Sequence, residues 1–322
     1  MKLMNKSVLV TGGAGFIGSH LVDQLILEKP EKIFVVDNLF LGKDSNLADA
    51  KAKFPELKIF HESASDFEKM QEIFKTEQID VVFNLAVIPL PASLERPSWT
   101  FSENNMITQT ICELSRLGYY ETLIHFSSSE VYGTSISGPM DENHPLNGTT
   151  PYAASKAACD LLILSYCRTF DIDASIIRPF NNYGPRQNEG SYAGLIPITV
   201  QRIMKNEPPT IFGNGKQTRD YLYVTDTAKA AIKIYENSKT RQKVLNIASG
   251  KEISIVYVVE KIAEYLDYDT EKILYDPNRP GDVQRHIANI YQAEDLLGFK
   301  PTVSFEDGLK KTVDWYKTIF NY

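Results

Sequence analysis

A glycine-rich segment constrains the fold of this chain more than any other feature. It reads TGGAGFIG over residues 11–18, directly after the β-branched run at 7–10 and at the start of a helical pattern. Glycines at Gly12, Gly15 and Gly18 permit a tight turn, close approach of a pyrophosphate to the backbone, and close helix–strand packing. The N-terminus of the helix would then face the phosphates. The segment therefore predicts a dinucleotide site at the first strand–helix turn.

A carboxylate at the end of the next predicted strand indicates which dinucleotide would bind. The strand covers 32–38, and Asp37 stands nineteen residues after Gly18. A carboxylate there accepts hydrogen bonds from both ribose hydroxyls and repels a 2′-phosphate, and no arginine lies within several residues, so the pattern favours NAD over NADP. Asp66, after the third strand, has two open interpretations, a contact with the adenine amino group and an N-cap for a helix over 67–77.

Strand-like and helix-like segments alternate through the first half of the chain. Further strands are predicted at 58–63, 80–86 and 121–129, with helical periodicity near 66–77 and 98–117. This alternation indicates parallel βαβ units and an α/β fold with a Rossmann-type doubly wound parallel sheet.

The pattern loosens after a further strand predicted at 173–180, where proline and glycine punctuate the chain. We therefore predict an NAD-binding domain over 1–178 and a smaller C-terminal α/β lobe over 179–322, which would mainly bind the substrate. Segments near 220–245 are expected to return to the first domain.

Composition limits the partners that the chain can have. Its 322 residues carry a net charge of −7 and no long Lys/Arg run, so neither nucleic acid nor a membrane is an expected partner. The three cysteines lie in apolar, helix-like segments, which suits buried thiols in a reducing compartment. With no signal-peptide layout, a cytoplasmic protein is expected. The five histidines lack ligand spacing, so no metal site is predicted.

A tyrosine and a lysine in YAASK supply a possible proton-handling pair. Tyr152 and Lys156 are four residues apart and would share one helix face. A lysine ammonium beside a phenol lowers its pKa, and the phenolate can take a proton from a substrate hydroxyl while hydride leaves for NAD. Ser128, upstream, would bind the same substrate oxygen. The same spacing is common on solvated helices, but the dinucleotide fingerprint favours the catalytic interpretation.

Eight motifs together resemble the extended short-chain dehydrogenase/reductases that act on nucleotide sugars. The motifs are TGGAGFIG (11–18), VVDNL (35–39), NLA (84–86), SSSEVYG (127–133), YAASK (152–156), RPFNNYGPR (178–186), TRDYLYVTD (218–226) and RPGDV (279–283). The resemblance runs over essentially the whole chain. It implies that NAD is held as a recycled prosthetic group and that the sugar is transiently oxidised at C4.

The resemblance also implies a role for individual residues. Ser128, Tyr152 and Lys156 match the family's catalytic triad. The cofactor would be held by Gly12, Gly15, Phe16, Ile17, Gly18, Asp37, Asn38, Asp66, Leu85, Ala86, Tyr152 and Lys156. The nucleotide sugar would be bound by Ser129, Asn181, Arg219 and Arg279. An acidic protein needs such arginines to hold a pyrophosphate, although surface ion pairing is an alternative for any one of them.

Two helical segments of the family commonly build the four-helix bundle of a dimer. They correspond here to helices near 98–117 and 153–170, whose apolar side chains are compatible with that bundle or with the core. A homodimer is therefore expected from the resemblance.

Glu130, in the turn after a strand, distinguishes among the reactions open to a C4 ketone. A 4-epimerase returns hydride to the other face of the sugar and needs no second base. A 4,6-dehydratase must remove the C5 proton and expel the C6 hydroxyl, for which a carboxylate beside C5 serves as base. Glu130 matches that base. We therefore predict an NAD-dependent lyase, a nucleotide-sugar 4,6-dehydratase, with a 4-epimerase or a UDP-glucuronate decarboxylase as alternatives.

The residue before Glu130 departs from the pattern of many hexose 4,6-dehydratases. Those enzymes place an aspartic acid there to protonate the leaving hydroxyl, whereas this chain has Ser129. Another group or a water would deliver the proton, or Glu130 would do both jobs, or the enzyme is a decarboxylase.

The three serines before Glu130, with the stretch AVIPLPASLERP (86–97), look most like dehydratases of GDP- or UDP-linked N-acetylglucosamine in legionaminic-type acid routes. A non-catalytic NAD-sensing scaffold is a remote alternative, because such relatives generally lose the tyrosine or the lysine.

Overall fold

The computed structural model describes residues 2–278 and 283–320 of the chain. Arg279, which was predicted to bind substrate, lies outside the described residues.

Fourteen strands occur in the described part of the chain. They are β1 (Ser7–Thr11), β2 (Lys32–Val36), β3 (Lys58–Phe60), β4 (Val81–Asn84), β5 (Thr122–Phe126), β6 (Asp173–Pro179), β7 (Asn181–Tyr183), β8 (Thr210–Phe212), β9 (Thr218–Arg219), β10 (Tyr221–Tyr223), β11 (Val244–Ile247), β12 (Ile253–Ser254), β13 (Leu274–Asp276) and β14 (Arg285–His286).

The same described ranges contain eleven α-helices, of which the last two follow β14. They are α1 (Phe16–Leu27), α2 (Ala48–Lys53), α3 (Phe67–Glu77), α4 (Leu90–Glu95), α5 (Pro97–Arg116), α6 (Pro151–Phe170), α7 (Leu195–Met204), α8 (Val224–Glu236), α9 (Ile255–Tyr265), α10 (Tyr291–Leu297) and α11 (Phe305–Ile319). None of the described helices is long and apolar enough to cross a membrane.

Seven parallel strands form the central sheet, in the order β11-β6-β5-β4-β1-β2-β3. The chain runs outward from β1 to β3 and then returns to start β4 on the other side of β1. The direction of winding therefore switches between β1 and β4, which is where ligands bind in open sheets of this type. The predicted doubly wound fold is confirmed.

Helices cover both faces of the sheet because its strands are apolar on both sides. In β1, Val8 and Val10 pack in one core cluster with α1 and α8, whereas Leu9 packs on the opposite face with α3, α5 and α6. A separate cluster joins β7 and β10 to α7, α9 and α11. Although α8 and β11 come late in the chain, they pack against α1 and β6. The division into domains over 1–178 and 179–322 stays a prediction.

Several predicted strands end earlier than the sequence pattern indicates. The strand expected over 121–129 ends at Phe126, and the one expected over 80–86 ends at Asn84. The residues that follow leave the sheet at its carboxyl edge, so their side chains are free to line a cleft there.

A buried ion pair ties α6 to β6 beneath this edge. Arg178 Nε donates to Asp160 Oδ2 at 2.9 Å, and Arg178 Nη1 donates to the Tyr132 hydroxyl at 2.7 Å. Tyr132 in turn donates to Asn246 Oδ1 at 2.7 Å, on β11. Burial raises the pKa of the Asp160 carboxyl, and the neighbouring guanidinium opposes that rise. The network therefore connects α6, β6, β11 and the turn that contains Tyr132.

Removing the carboxylate of this pair should destabilise the protein strongly. In Asp160→Ala the Arg178 guanidinium stays buried without its counter-ion, so we expect a loss of about 3–5 kcal/mol in the free energy of unfolding. Urea denaturation of the cofactor-free protein measures it. Glu264→Ala removes the solvent-exposed pair with Lys261 and should change little. Equal losses in the two variants would contradict the prediction.

Candidate active site

A cleft of about 370 Å³ opens at the carboxyl edge of the sheet, at the switch between β1 and β4. Its volume is in the range of small-molecule sites. Most of the predicted cofactor and catalytic residues line it, namely Gly12, Gly15, Phe16, Ile17, Gly18, Asp37, Asn38, Leu85, Ala86, Ser128, Tyr152 and Lys156. The fold therefore brings these residues, which are far apart in sequence, to one surface.

The glycine segment packs so closely that side chains do not fit. A Cβ at Gly18 would lie 2.1 Å from the Gly12 carbonyl oxygen, and a Cβ at Gly12 would lie 2.8 Å from the Ala86 amide nitrogen. Gly12 also has a φ of 67°, which disfavours other residues. Helix α1 starts at Phe16, and its first amides, which have no acceptor within the helix, border the cleft. This cradle fits a pyrophosphate.

Asp37 holds a carboxylate at the wall of the cleft. Its side chain accepts from the Ala14 and Leu39 amides, each at 2.9 Å, and a Cβ at Gly42 would lie 2.6 Å from its Oδ1. Burial raises the pKa of the Asp37 carboxyl, and the two amides oppose the rise. The backbone thus orients the carboxylate, which fits the ribose of a dinucleotide.

Asp66 is the N-cap of α3 in the structure. Its Oδ1 accepts from the Lys69 amide at 3.1 Å, and its side chain is not among those that line the cleft. At the end of β3 the cleft is instead lined by residues 62–64. The N-cap interpretation is therefore the one with a contact in the structure, while the adenine contact stays a prediction.

The helix that carries the tyrosine and lysine begins directly beside the cleft. Thr150 caps α6 by accepting from the Ala153 amide, and Pro151 occupies the first turn, so the helix starts at a defined residue. Tyr152 and Lys156 follow on successive turns and both line the cleft.

Burial has the largest effect on the pKa of both Lys156 and Tyr152. The Lys156 ammonium donates to the Phe126 carbonyl at 2.5 Å, and burial lowers its pKa. Burial raises the pKa of Tyr152 to about 12, a hydrogen bond with Ser128 opposes the rise, and the Glu130 charge adds to it. Burial is thus the largest effect at the phenol, and the lowering of its pKa by Lys156 stays a prediction.

Ser128 and Glu130 lie on a tight turn that follows β5. Ser128 has extended backbone angles, and its Oγ accepts from the Glu130 amide at 3.2 Å at the start of the 3₁₀ turn Ser129–Tyr132. Gly133 ends the turn with a φ of 67°, where a Cβ would lie 2.3 Å from the Asn147 carbonyl oxygen. The turn keeps the half-buried Glu130 carboxylate close enough to Tyr152 to affect its pKa.

Three of the residues that were predicted to bind substrate lie within the described ranges. They are found around His286 and not in the cleft. The Ser129 carbonyl lies 3.1 Å from His286 Nε2, and Asn181 Oδ1 lies 3.4 Å from His286 Nδ1. Arg219 is on β9, which pairs with β14, and its Nη1 donates to the Val283 carbonyl at 2.5 Å. None of Ser129, Asn181 and Arg219 lines the cleft described above. Their roles toward a substrate stay predictions.

Three buried polar side chains, joined by hydrogen bonds, lie below the cleft. They were not predicted from the sequence. Thr11 Oγ1 donates to Asn84 Oδ1 at 2.6 Å and accepts from the Leu85 and Ala86 amides, and Asn84 Nδ2 lies 3.0 Å from His125 Nδ1. Burial holds the pKa of His125 well below its usual value, so the ring is neutral. These three side chains pair in register on β1, β4 and β5. A polar residue near the carboxyl end of each of three neighbouring strands is the sequence signal from which these contacts could have been predicted.

This combination of a parallel sheet, a glycine cradle and adjoining Ser, Tyr and Lys side chains defines an extended short-chain dehydrogenase/reductase. More narrowly, the chain belongs to the GDP-mannose 4,6 dehydratase family, whose model matches residues 9–312. The resemblance to the nucleotide-sugar branch is confirmed.

Relatives of this chain carry out different reactions. It is 37% identical to a putative UDP-glucose 4-epimerase of Methanocaldococcus jannaschii, with 96% of this chain and 98% of that one covered. It is 32% identical to the UDP-N-acetyl-alpha-D-glucosaminuronate decarboxylase of Bacillus cytotoxicus, with 99% and 100% covered. The likeness therefore does not choose among the reactions.

A solved structure with the same fold contains the predicted cofactor. It is the dTDP-glucose 4,6-dehydratase of Streptomyces venezuelae with NAD bound, which matches with a TM-score of 0.91 and 31% identity over 97% of each chain. The NAD in this relative agrees with the cofactor predicted from the sequence.

Proposed function

We propose that this protein is an NAD-dependent nucleotide-sugar 4,6-dehydratase. The observation that carries the proposal is the Glu130 carboxylate, on the turn directly after Ser128 and within electrostatic reach of Tyr152. If Ser128 and Tyr152 hold the sugar O4, a carboxylate on the same turn lies on the side of a neighbouring ring carbon. A dehydratase needs a base at C5, whereas an epimerase does not.

We propose that NAD occupies the cleft, with its pyrophosphate at the glycine cradle and a ribose at Asp37. When bound, NAD accepts a hydride from C4 and later returns one to C6. The Tyr152 phenolate takes the proton of the C4 hydroxyl while Ser128 orients that oxygen. Lys156, held by the Phe126 carbonyl, supplies a positive charge at the same wall.

Glu130 would act in the second half of the reaction. Its carboxylate takes the C5 proton, which the C4 ketone has acidified, and the C6 hydroxyl leaves. Ser129 is buried and, as a serine, is a poor acid. We therefore assign both proton transfers to Glu130, which would pass the C5 proton to the departing hydroxyl and so release water. After hydride has returned to C6, Glu130 would take up a proton from solvent and deliver it to C5, which completes the 4-keto-6-deoxy product.

The substrate would be a nucleoside-diphosphate sugar held by Asn181, Arg219 and Arg279. From the sequence resemblance we propose GDP- or UDP-N-acetylglucosamine, converted to its 4-keto-6-deoxy form in a legionaminic-type acid route. A cytoplasmic homodimer is also proposed. Phe101 and Met106 on α5 and Leu161 on α6 are exposed apolar side chains, which a partner helix pair would cover.

A uronate decarboxylase is the second candidate, and Ser129 favours it. Loss of carbon dioxide from a 4-keto uronic acid requires no acid at the residue before Glu130. In that reaction Glu130 would orient the sugar rather than remove a proton from C5.

Replacing the proposed base should separate C4 oxidation from water loss. We expect Glu130→Gln to keep cofactor binding and C4 oxidation, and to lose dehydration by at least about a hundredfold, because an amide cannot accept the C5 proton. The test incubates the protein with GDP- and UDP-N-acetylglucosamine and UDP-glucuronate in deuterated water and follows product mass. Wild type and the exposed control Glu207→Gln should lose water and gain one deuteron at carbon.

The other possible results of that experiment would contradict the dehydratase or the assignment of its base. Carbon dioxide lost from the glucuronate would establish the decarboxylase. An unchanged mass without deuterium, together with an inverted C4 in the NMR spectrum of the sugar, would indicate the epimerase. Dehydration by Glu130→Gln at close to the wild-type rate would show that Glu130 is not the base that takes the C5 proton.

Asp37 should set the preference for NAD. In Asp37→Asn the negative charge that repels a 2′-phosphate is lost, so we expect the ratio of the NADP and NAD dissociation constants to fall by about tenfold or more. Fluorescence titration with each dinucleotide measures the ratio. Asp49→Asn, with the same charge change at an exposed position, is the matched control. An unchanged ratio in Asp37→Asn would place the ribose elsewhere.

The pH dependence of C4 oxidation should report the environment of Tyr152. The phenolate is the active form, so a higher pKa moves the rising limb of the profile to higher pH. The Ser128 hydrogen bond lowers the pKa of Tyr152 and the Glu130 charge raises it. We therefore expect Ser128→Ala to shift the limb up in pH and Glu130→Gln to shift it down.

Single-turnover formation of reduced cofactor, measured against pH, tests this prediction. The exposed control Ser165→Ala should leave the limb in place. Shifts in the same direction for the two active-site variants would mean that another group titrates.

A further inference from the structure

His286 lies between the turn Ser129–Tyr132, called the Glu130 turn below, and the residues that were predicted to bind substrate. Its ring is fully buried, with Nε2 3.1 Å from the Ser129 carbonyl oxygen and Nδ1 3.4 Å from Asn181 Oδ1. The ring also lies against Phe180, with centroids 5.0 Å apart. One side chain therefore touches both the turn that carries the carboxylate and a residue predicted to bind the nucleotide sugar.

The backbone of His286 adds a third connection. It pairs with Arg219 in the short parallel ladder of β14 and β9. The ladder has only two residue pairs, so it gives little rigidity by itself. Backbone hydrogen bonds from the Ser135 amide to the Arg285 carbonyl, at 3.0 Å, and from the Met140 amide to the Ile287 carbonyl, at 2.9 Å, join the same stretch to the segment that follows the turn. The ring contacts add the direct link to the turn itself.

The hydrogen-bond partners determine the protonation of the ring. The Ser129 carbonyl can only accept, so Nε2 carries the proton, and Nδ1 of a neutral imidazole is then an acceptor. Burial lowers the pKa of His286 to about 4, with Arg219 adding to the effect, so the ring is neutral near pH 7.

The neutral ring also orients the amide of Asn181. An acceptor at Nδ1 pairs with the NH2 group of Asn181 rather than with its oxygen, so the Asn181 amide is assigned the orientation in which its two terminal atoms are exchanged. The Asn181 oxygen then points away from the ring, where a substrate hydroxyl or amide can reach it.

We propose that His286 is a positioning residue that holds the Glu130 turn through the Ser129 carbonyl and orients Asn181 through its other ring nitrogen. This inference rests on the proposed function, because it assigns proton abstraction to the turn and substrate binding to Asn181. The two ring nitrogens thus serve two separable purposes. Nε2 supports the chemical step, and Nδ1 supports binding.

Two amide substitutions separate these purposes. Glutamine reaches as far as Nε2, so His286→Gln keeps a donor for the Ser129 carbonyl and loses the Asn181 contact. Asparagine reaches only as far as Nδ1, so His286→Asn does the reverse. His286→Phe keeps the ring against Phe180 but loses both contacts.

The expected result is a split between KM and kcat. His286→Gln should raise KM about tenfold with kcat within about threefold, and His286→Asn should lower kcat about tenfold with a nearly unchanged KM, as for the loss of one hydrogen bond. His286→Phe should show both defects. The exposed His61→Gln should match wild type.

The reaction followed is whichever one the wild type performs, whether water loss, carbon dioxide loss or epimerisation. A wild-type epimerase would therefore refute the dehydratase and leave the split testable. If both amide variants instead show a lower kcat together with a higher KM, and melt at lower temperature, the histidine is purely structural and the proposal is overturned.

A binding measurement keeps the proposal falsifiable if the amide variants are unstable. Calorimetry gives the affinity of GDP and UDP for wild type, Asn181→Ala, His286→Gln and the double variant. We expect the double variant to bind no more weakly than Asn181→Ala, because both changes remove one contact. Additive losses would overturn the link between His286 and Asn181.

Discussion

The site depends on how closely the backbone of α1 approaches the first turn of the sheet. With a Cβ at Gly18 placed 2.1 Å from the Gly12 oxygen, any larger residue would push the helix away. The same turn lies against Ala86, which follows β4. The helix α1, the turn and the end of β4 therefore meet at one contact. The amides at the start of α1 reach the cleft only because this contact contains no side chain. The same approach would set the position of a bound cofactor and, under the proposed function, the position of the sugar beside it.

Parallel strands then deliver the remaining groups to one edge. Thr11, Asn84 and His125 occupy the same level on three neighbouring strands and form a hydrogen-bonded chain below the cleft. These three side chains are neutral, whereas the buried side chains of Lys156 and Asp37, which line the cleft, are ionisable. A second polar layer, around Arg178 and Asp160, holds α6 against β6. Tyr152 and Lys156, which are proposed as catalytic residues, therefore lie on a helix that ordered polar contacts hold against the sheet.

Local patterns predicted the features that depend on local geometry. The glycine spacing, the strand alternation and Asp37 follow from the demands of one strand–turn–helix unit, and all appear in the structure. The effect of burial on the pKa of Tyr152 could not be predicted from a local pattern, because burial is a property of the whole fold. His286 was missed because it meets Ser129 across 157 positions of chain, which no local pattern encodes.

The charge balance at Tyr152 gives a physical reason to prefer a dehydratase. Glu130 raises the pKa of the phenol, and so opposes the deprotonation on which C4 oxidation depends. A neutral residue on the turn would avoid that penalty. An epimerase would gain nothing from the carboxylate, because its second step also uses only Tyr152 and the cofactor. The penalty is useful when a second proton, on the neighbouring carbon, must be removed, because a carboxylate on this turn can accept that proton.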